Sequence, residues 1–91
     1  MKFEWDENKR KLNLAKHGID FKDAQQIFDG ITFTFQDERY NYGEDRYITV
    51  GMLRGTVVIA AHTERNDVIR LISVRKATKN EQKLFYKGFG N

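Results

Sequence analysis

The stretch RYITVGMLRGTVVIAAHTERNDVIRLISVR, residues 46–75, decides the fold. It holds three runs rich in Ile, Val and Thr, residue types that suit a pleated strand, broken at Arg54-Gly55 and Asn66-Asp67. Two-residue breaks suit tight hairpins, so the runs predict consecutive antiparallel strands. With loops of that length Leu53 faces Thr56 and Arg65 faces Val68, and alternation then assigns each side chain to a face. One face carries Ile48, Val50, Met52, Val57, Ile59, Ala61, Ile72 and Val74, an apolar surface that helices are expected to cover. At its end stand Arg46, Thr63 and Arg70 abreast, with Glu44 opposite Arg65. The other face carries Tyr47, His62 and Leu71 abreast and, further along, Gly51, Val58 and Arg75.

Upstream, ITFTFQD at residues 31–37 alternates Ile31, Phe33 and Phe35 with polar residues and predicts a fourth, half-buried strand, followed by the polar loop DERYNYGED. WDENKRKLNLAKHG, residues 5–18, reads as a helix with Asp6 as N-cap, Leu12, Leu14 and Ala15 as its apolar side, and Gly18 as its left-handed stop. DFKDAQQIFDG, residues 20–30, repeats that logic from Asp20 to Gly30. At the other end, Thr78 and Glu81 have the spacing of a capping box and open a last helix. The expected order is ααββββα: an α+β fold with a four-stranded antiparallel sheet packed by helices, in a single domain spanning residues 1–91.

Composition narrows the chemistry. With no cysteine and two histidines far apart, the chain offers neither a disulfide framework nor a recognised zinc spacing, and no cofactor is expected. No apolar run suggests a signal peptide or membrane span, so a cytoplasmic location is the expectation. The net charge of +3 is unevenly spread. Residues 1–30 carry six Lys/Arg against six Asp/Glu, residues 31–64 three against five, and residues 65–91 seven against two. A basic C-terminal third suits a polyanion or acidic partner, and equally a solvated lysine-rich helix.

Arg46, Arg65 and Arg70 form the first candidate site. Guanidinium groups grip phosphate with paired hydrogen bonds and keep their charge, so a cluster can bind an RNA backbone and stabilise phosphoryl transfer. The competing reading is an ion-pair network built on Glu44. Arg75 and Lys76 sit where the last strand meets the last helix, able to hold an anion or to face solvent. Tyr40, Tyr42 and Tyr86 can stack on bases, although Phe85 and Tyr86 suit packing. Trp5 suits anchoring the first helix, and His62 suits packing beside Tyr47. His17, next to Lys16, has the chemistry of a general acid or base; it also suits the carbonyls at the end of a helix. No phosphate-binding glycine loop or nucleophile elbow is present.

Three segments together carry a resemblance: FEWDENKRKLNLAKHGIDFKDAQQIFD at 3–29, EDRYITVGM at 44–52, and HTERNDVIRLISVRKATKNE at 62–81 with Tyr86 beyond. In this order and spacing the chain resembles a BrnT-type toxin, the ribonuclease half of a bacterial type II toxin-antitoxin pair. The resemblance implies a RelE-like fold and metal-independent RNA cleavage that arrests translation. It also implies a hetero-oligomer with a neutralising BrnA-type antitoxin, through which alone the complex meets operator DNA. It places weight on Lys9, Lys16, His17 and Gly18 in the first segment, on Arg46, and on Arg65, Arg70 and Arg75 in the last. Of these, Arg65, His17 and Arg75 are the expected catalytic residues, and Lys9, Lys16, Arg46 and Arg70 the expected substrate-binding ones. The alternative is a non-catalytic basic module that binds an acidic partner or nucleic acid, or a degenerate toxin that keeps only its antitoxin contact.

Overall fold

The computed structural model describes residues 1–88. The chain runs β1 (Lys2–Trp5), α1 (Glu7–His17), α2 (Phe21–Ala24), a 3-10 turn (Gln25–Asp29), β2 (Phe33–Gln36), β3 (Tyr47–Leu53), β4 (Thr56–Arg65), β5 (Val68–Lys76) and α3 (Lys79–Lys87). The last three residues of the expected 1–91 domain lie outside the described residues.

The α+β class holds, but the sheet is five-stranded and mixed, in the order β1-β5-β4-β3-β2. The expected four-stranded, all-antiparallel ααββββα arrangement therefore lacked one strand. β1 lies parallel to β5, pairing Lys2 with Val68 and Trp5 with Leu71. Four residues joined to a distant strand leave no hairpin signal in the sequence.

Both hairpins are as the sequence predicted: Leu53 faces Thr56 and Arg65 faces Val68. The turn residues Arg54, Gly55, Asn66 and Asp67 all take positive φ, at 50°, 82°, 51° and 64°. Two left-handed residues in succession twist the chain to match the flanking strands. The helix signals also hold. Asp6 and Asp20 cap α1 and α2, Gly18 ends α1 at φ 71°, and Thr78 with Glu81 forms a capping box on α3.

The register changes once. A β-bulge at Ala61/His62 pairs His62 with Leu71 but Ala61 with Ser73, so Leu71 and Val74, three residues apart, both face the same side. Val74 thus opposes Ala60, and Arg75 opposes Ile59. The unbulged register had put Val74 with Ile59 and Arg75 with Val58; the bulge exchanges their faces.

A second correction concerns which face the N-terminal helices cover. α2 and the 3-10 turn bury Phe21, Ala24 and Ile27 against Leu53, Val58, Ala60, Ile69, Leu71 and Val74, with Phe3 and Trp5 beside them. That is the face of Thr49, Gly51 and His62. Its small residues let the helical layer approach closely: Ile27 Cγ2 lies 2.7 Å from where a Cβ on Gly51 would stand. The expected apolar face, with Ile48, Val50, Met52, Val57 and Ile59, is covered at one end by Phe85 of α3 and is otherwise open.

α1 also presents a different side from the one expected. Leu12 and Leu14 are exposed, and the helix buries Asn13. The Asn13 carboxamide donates to the carbonyls of Ile19 (2.9 Å) and Val74 (3.0 Å) and accepts from the Val74 amide (3.0 Å). β1 pairs with β5 only as far as Leu71, and Asn13 takes over the outward backbone groups that follow.

Candidate functional site

Strand parity gathers the arginines. Arg70 opposes Thr63, and Arg65 lies two residues from Thr63 on the same face. Arg46 precedes Tyr47, whose partner is His62, and so continues the row of Thr63 and Arg70. The bulge brings Arg75 onto this face as well. The row extends to both edges: the Asp37 amide donates to the Arg46 carbonyl at 2.7 Å, and Glu4 opposes Arg70. Asp37, Arg46, Thr63, Arg70 and Glu4 therefore cross the sheet in line, with Arg65 beyond them on the β4–β5 turn.

Each arginine has a different environment. Arg46 Nε lies 3.4 Å from Glu44 Oε2, and its guanidinium sits 4.0 Å from the Tyr42 ring centroid. Glu44 thus meets Arg46 and not Arg65, as the sequence register had it. Arg70 Nη1 is 3.6 Å from Glu4 Oε1, with both side chains about half exposed. Loose exposed pairs of this kind contribute little and leave the guanidinium free to exchange partners. Arg65 is exposed and has no ion pair among the described residues. Arg75 is held fast: Nη1 and Nη2 donate to Glu81 Oε1 and Oε2 at 2.8 and 2.9 Å. These bonds, with those from Thr78, hold the Glu81 carboxyl down to about 2, and the same pairing raises the guanidinium.

Beside the row lies a cleft of about 430 Å³, floored by Ile48, Val50 and Ile59 and walled by Phe33, Phe35, Leu84 and Phe85. Arg39, Asp37, Arg75 and Glu81 form its polar border. Asp37 is buried and accepts from Arg39 Nε and Nη2 (both 2.9 Å) and from the Tyr42 hydroxyl (3.1 Å). The Arg39 bonds hold its carboxyl well below the usual carboxylate range. Sequence reasoning had not singled out Asp37 or Arg39. Their two-residue spacing in a polar loop is the one signal that was present.

The remaining expected site residues stand elsewhere. Lys9, Lys16 and His17 belong to α1, which docks on the edge of β5 through Asn13 and is flanked by Trp5 and Ile19, both packed into the core of the covered face. Lys16 is exposed and His17 half-buried in the last turn before Gly18. This is the arrangement expected of residues that end a helix, where cations complement the free carbonyls. The structure joins Arg46, Arg65, Arg70 and Arg75 on one face and does not bring Lys9, Lys16 or His17 to them.

Of the aromatic candidates, Phe85 is buried while Tyr86 and Tyr40 are exposed. Trp5 ends β1, donates to Glu7 at 2.9 Å and packs edge-on against Phe21. Among the described residues no group of three His, Asp or Glu is placed to hold a metal ion, and no helix is long and apolar enough to cross a membrane.

No curated protein matches the chain closely enough for comparison. A family model does match, over residues 5–81, and its description is the ribonuclease toxin BrnT of type II toxin-antitoxin systems. The match spans the α1 caps, the arginine row, the bulge and the capping box. The chain therefore belongs to the BrnT family of ribonuclease toxins, whose members act in a toxin-antitoxin pair.

Proposed function

We propose that this chain is a metal-independent endoribonuclease that binds RNA along the open face of the sheet and arrests translation. The supporting observation is the shared face of Arg46, Arg65 and Arg70, with exposed aromatic side chains at Phe35 and Tyr40 nearby in β2 and the loop that follows it. Cations that track a backbone, interleaved with rings on which bases stack, suit single-stranded RNA. Arg65, free of acid partners among the described residues, is the main clamp on the scissile phosphate. Arg46 and Arg70 hold the flanking phosphates by leaving their loose carboxylate partners. The 2′-hydroxyl then gives up its proton to water and attacks the adjacent phosphate, the P–O5′ bond breaks, and the 5′-oxygen takes a proton from water, leaving a 2′,3′-cyclic phosphate and a 5′-hydroxyl, while the guanidinium groups stabilise the added negative charge. Arg75, locked by Glu81, borders the track and fixes α3.

In this reading residues 1–91 act as one toxin domain in the cytoplasm. A BrnA-type antitoxin forms the hetero-oligomer and supplies the contact with operator DNA. The test is cleavage of total RNA by purified protein in excess chelator, wild type against Arg65→Ala. Removing a positioned charge on the transition state costs about 10²–10³-fold in rate. Equal cleavage by both proteins, or dependence on added metal, overturns the proposal.

A further inference from the structure

At the end of the sheet remote from α3, Tyr47 and the β4–β5 turn border a second cleft of about 270 Å³, with Glu64, Arg65, Asn66 and Asp67 in its walls. Behind that wall His62 is fully buried. Its Nε2 lies 2.6 Å from Thr49 Oγ1, which lies 2.8 Å from Thr34 Oγ1. Its Nδ1 is the one buried side-chain nitrogen or oxygen among the described residues with no hydrogen-bond partner, and it faces Glu64 Oε1 at 3.7 Å.

At 3.7 Å the approach of Nδ1 to Glu64 is electrostatic and not a hydrogen bond, and the Thr34–Thr49–His62 contacts have no fixed donor direction. A buried imidazole costs more than a packed apolar ring of similar size, and packing alone does not call for it. The buried ring faces the exposed Glu64 carboxylate, which lines the cleft. Tyr47 stacks on His62 on one side, with ring centroids 6.1 Å apart at 26°, and lines the cleft with its remaining surface.

We infer that this cleft is a base subsite that reads guanine in the RNA held at Arg65; the inference rests on the RNA-cleaving function proposed above. Glu64 shares the face of His62 and Tyr47 while Arg65 points to the other, so the cleft opens around the β4–β5 end of the sheet; its two carboxylates, Glu64 and Asp67, repel a phosphate, which leaves the anionic part of a nucleotide on the Arg65 side and its base beside Tyr47. Tyr47 offers the stacking surface. A carboxylate whose two oxygens face a base edge needs two adjacent donors. Guanine offers N1–H beside its 2-amino group, whereas adenine and cytosine place a ring acceptor next to their amino group and uracil has one N–H between carbonyls.

The experiment uses the full chain and four oligoribonucleotides that differ at one position, each cleaved by wild type and by Glu64→Gln. The substitution keeps the size of an exposed side chain and turns one acceptor into a donor. The wild type is expected to favour guanine in kcat/KM by at least about tenfold, the discrimination of one two-pronged base contact, and Glu64→Gln to bring the ratio near one. Equal cleavage of all four, or a guanine preference that survives Glu64→Gln, overturns the inference. An NMR titration with guanosine 3′-monophosphate against adenosine 3′-monophosphate decides independently of turnover. Guanine-selective shifts at Tyr47 and Glu64 are expected, and their absence overturns the inference even if no RNA is cleaved and the proposed function itself fails. Mononucleotide binding without base preference in cleavage marks a free-nucleotide site and overturns the RNA subsite.

Discussion

Arg75 and Glu81 meet in a two-pronged ion pair, at 2.8 and 2.9 Å, that ties the last strand to the first turn of the last helix. Glu81 also accepts the Thr78 amide at 2.8 Å as its half of the capping box. One carboxylate therefore fixes both the start of α3 and the direction of Arg75. Because both side chains are about a third exposed or more, the pair contributes only about 1 kcal/mol. Arg75→Ala is expected to lower the thermal midpoint by about 5 °C in a domain of this size. Calorimetry measures this directly, and a fall in RNA cleavage as large as that of Arg65→Ala would instead make Arg75 part of the phosphate clamp.

The same pair sets an acid limit. The folded Glu81 carboxyl is held at about 2, against an ordinary value of 4.5, chiefly by its hydrogen bonds from Arg75. A depressed carboxyl contributes its stability in full above 4.5 and loses it as pH falls toward 2. The midpoint difference between wild type and Glu81→Gln is therefore expected to be constant near neutrality, to shrink below pH 4.5 and to close near pH 2. A difference that does not change across that window contradicts the assignment.

His17 ends α1, which docks on the edge of β5, and Arg70 stands in the arginine row, so they make opposite predictions. His17→Ala is expected to leave RNA cleavage within about twofold of wild type, as surface changes remote from a site do. Arg70→Ala is expected to lose about tenfold or more, because an oriented guanidinium is removed from the bound phosphate. Initial rates on one defined RNA separate the two. A large loss in His17→Ala would place proton transfer at the end of α1 after all.

The features that proved legible are those with local causes. Caps, the left-handed Gly18 and both two-residue turns follow from the residues at those positions, and the register beside each turn follows with them. The arginine row could be read because it lies close to the Asn66-Asp67 turn, before the bulge at Ala61/His62 intervenes. Arg75 lies past the bulge, where one inserted residue reverses every face, and nothing in ISVR marks the insertion. β1 was hidden because its partner is more than sixty residues away. The covered face was misjudged because large apolar side chains suggested a core. The helices instead chose the face with Gly51, Ala60 and Thr49, where small side chains permit close approach.

Asn13 shows how a polar residue in a helix can act as a strand. Its carboxamide makes three hydrogen bonds at 2.9–3.0 Å, two of them to the N–H and C=O of Val74 past the end of β1. Asn13→Ala leaves those buried groups unpaired, at an expected cost of about 3 kcal/mol. Asn13→Leu is expected to do no better, since added apolar contact does not satisfy the backbone. Urea denaturation of both variants tests this, together with faster amide exchange at Val74. A loss below about 0.5 kcal/mol would mean that water replaces the carboxamide.

Gly51 is required for space and not for backbone freedom, since its φ is not in the left-handed region. A Cβ there would stand 2.7 Å from Ile27 Cγ2 and 3.1 Å from Thr32 Cγ2, inside the contact between β3 and the 3-10 turn. Gly51→Ala is therefore expected to destabilise the fold by about 1–3 kcal/mol through overpacking. The remedy is specific. Ile27→Leu removes the β-branch that carries Cγ2 while preserving volume, so in the double variant Gly51→Ala should cost much less than it does alone. A double-mutant cycle by denaturant unfolding reads this as a favourable coupling between the two sites. Simple additivity would show that the layer yields elsewhere and that Ile27 does not set the approach of the helices to the sheet.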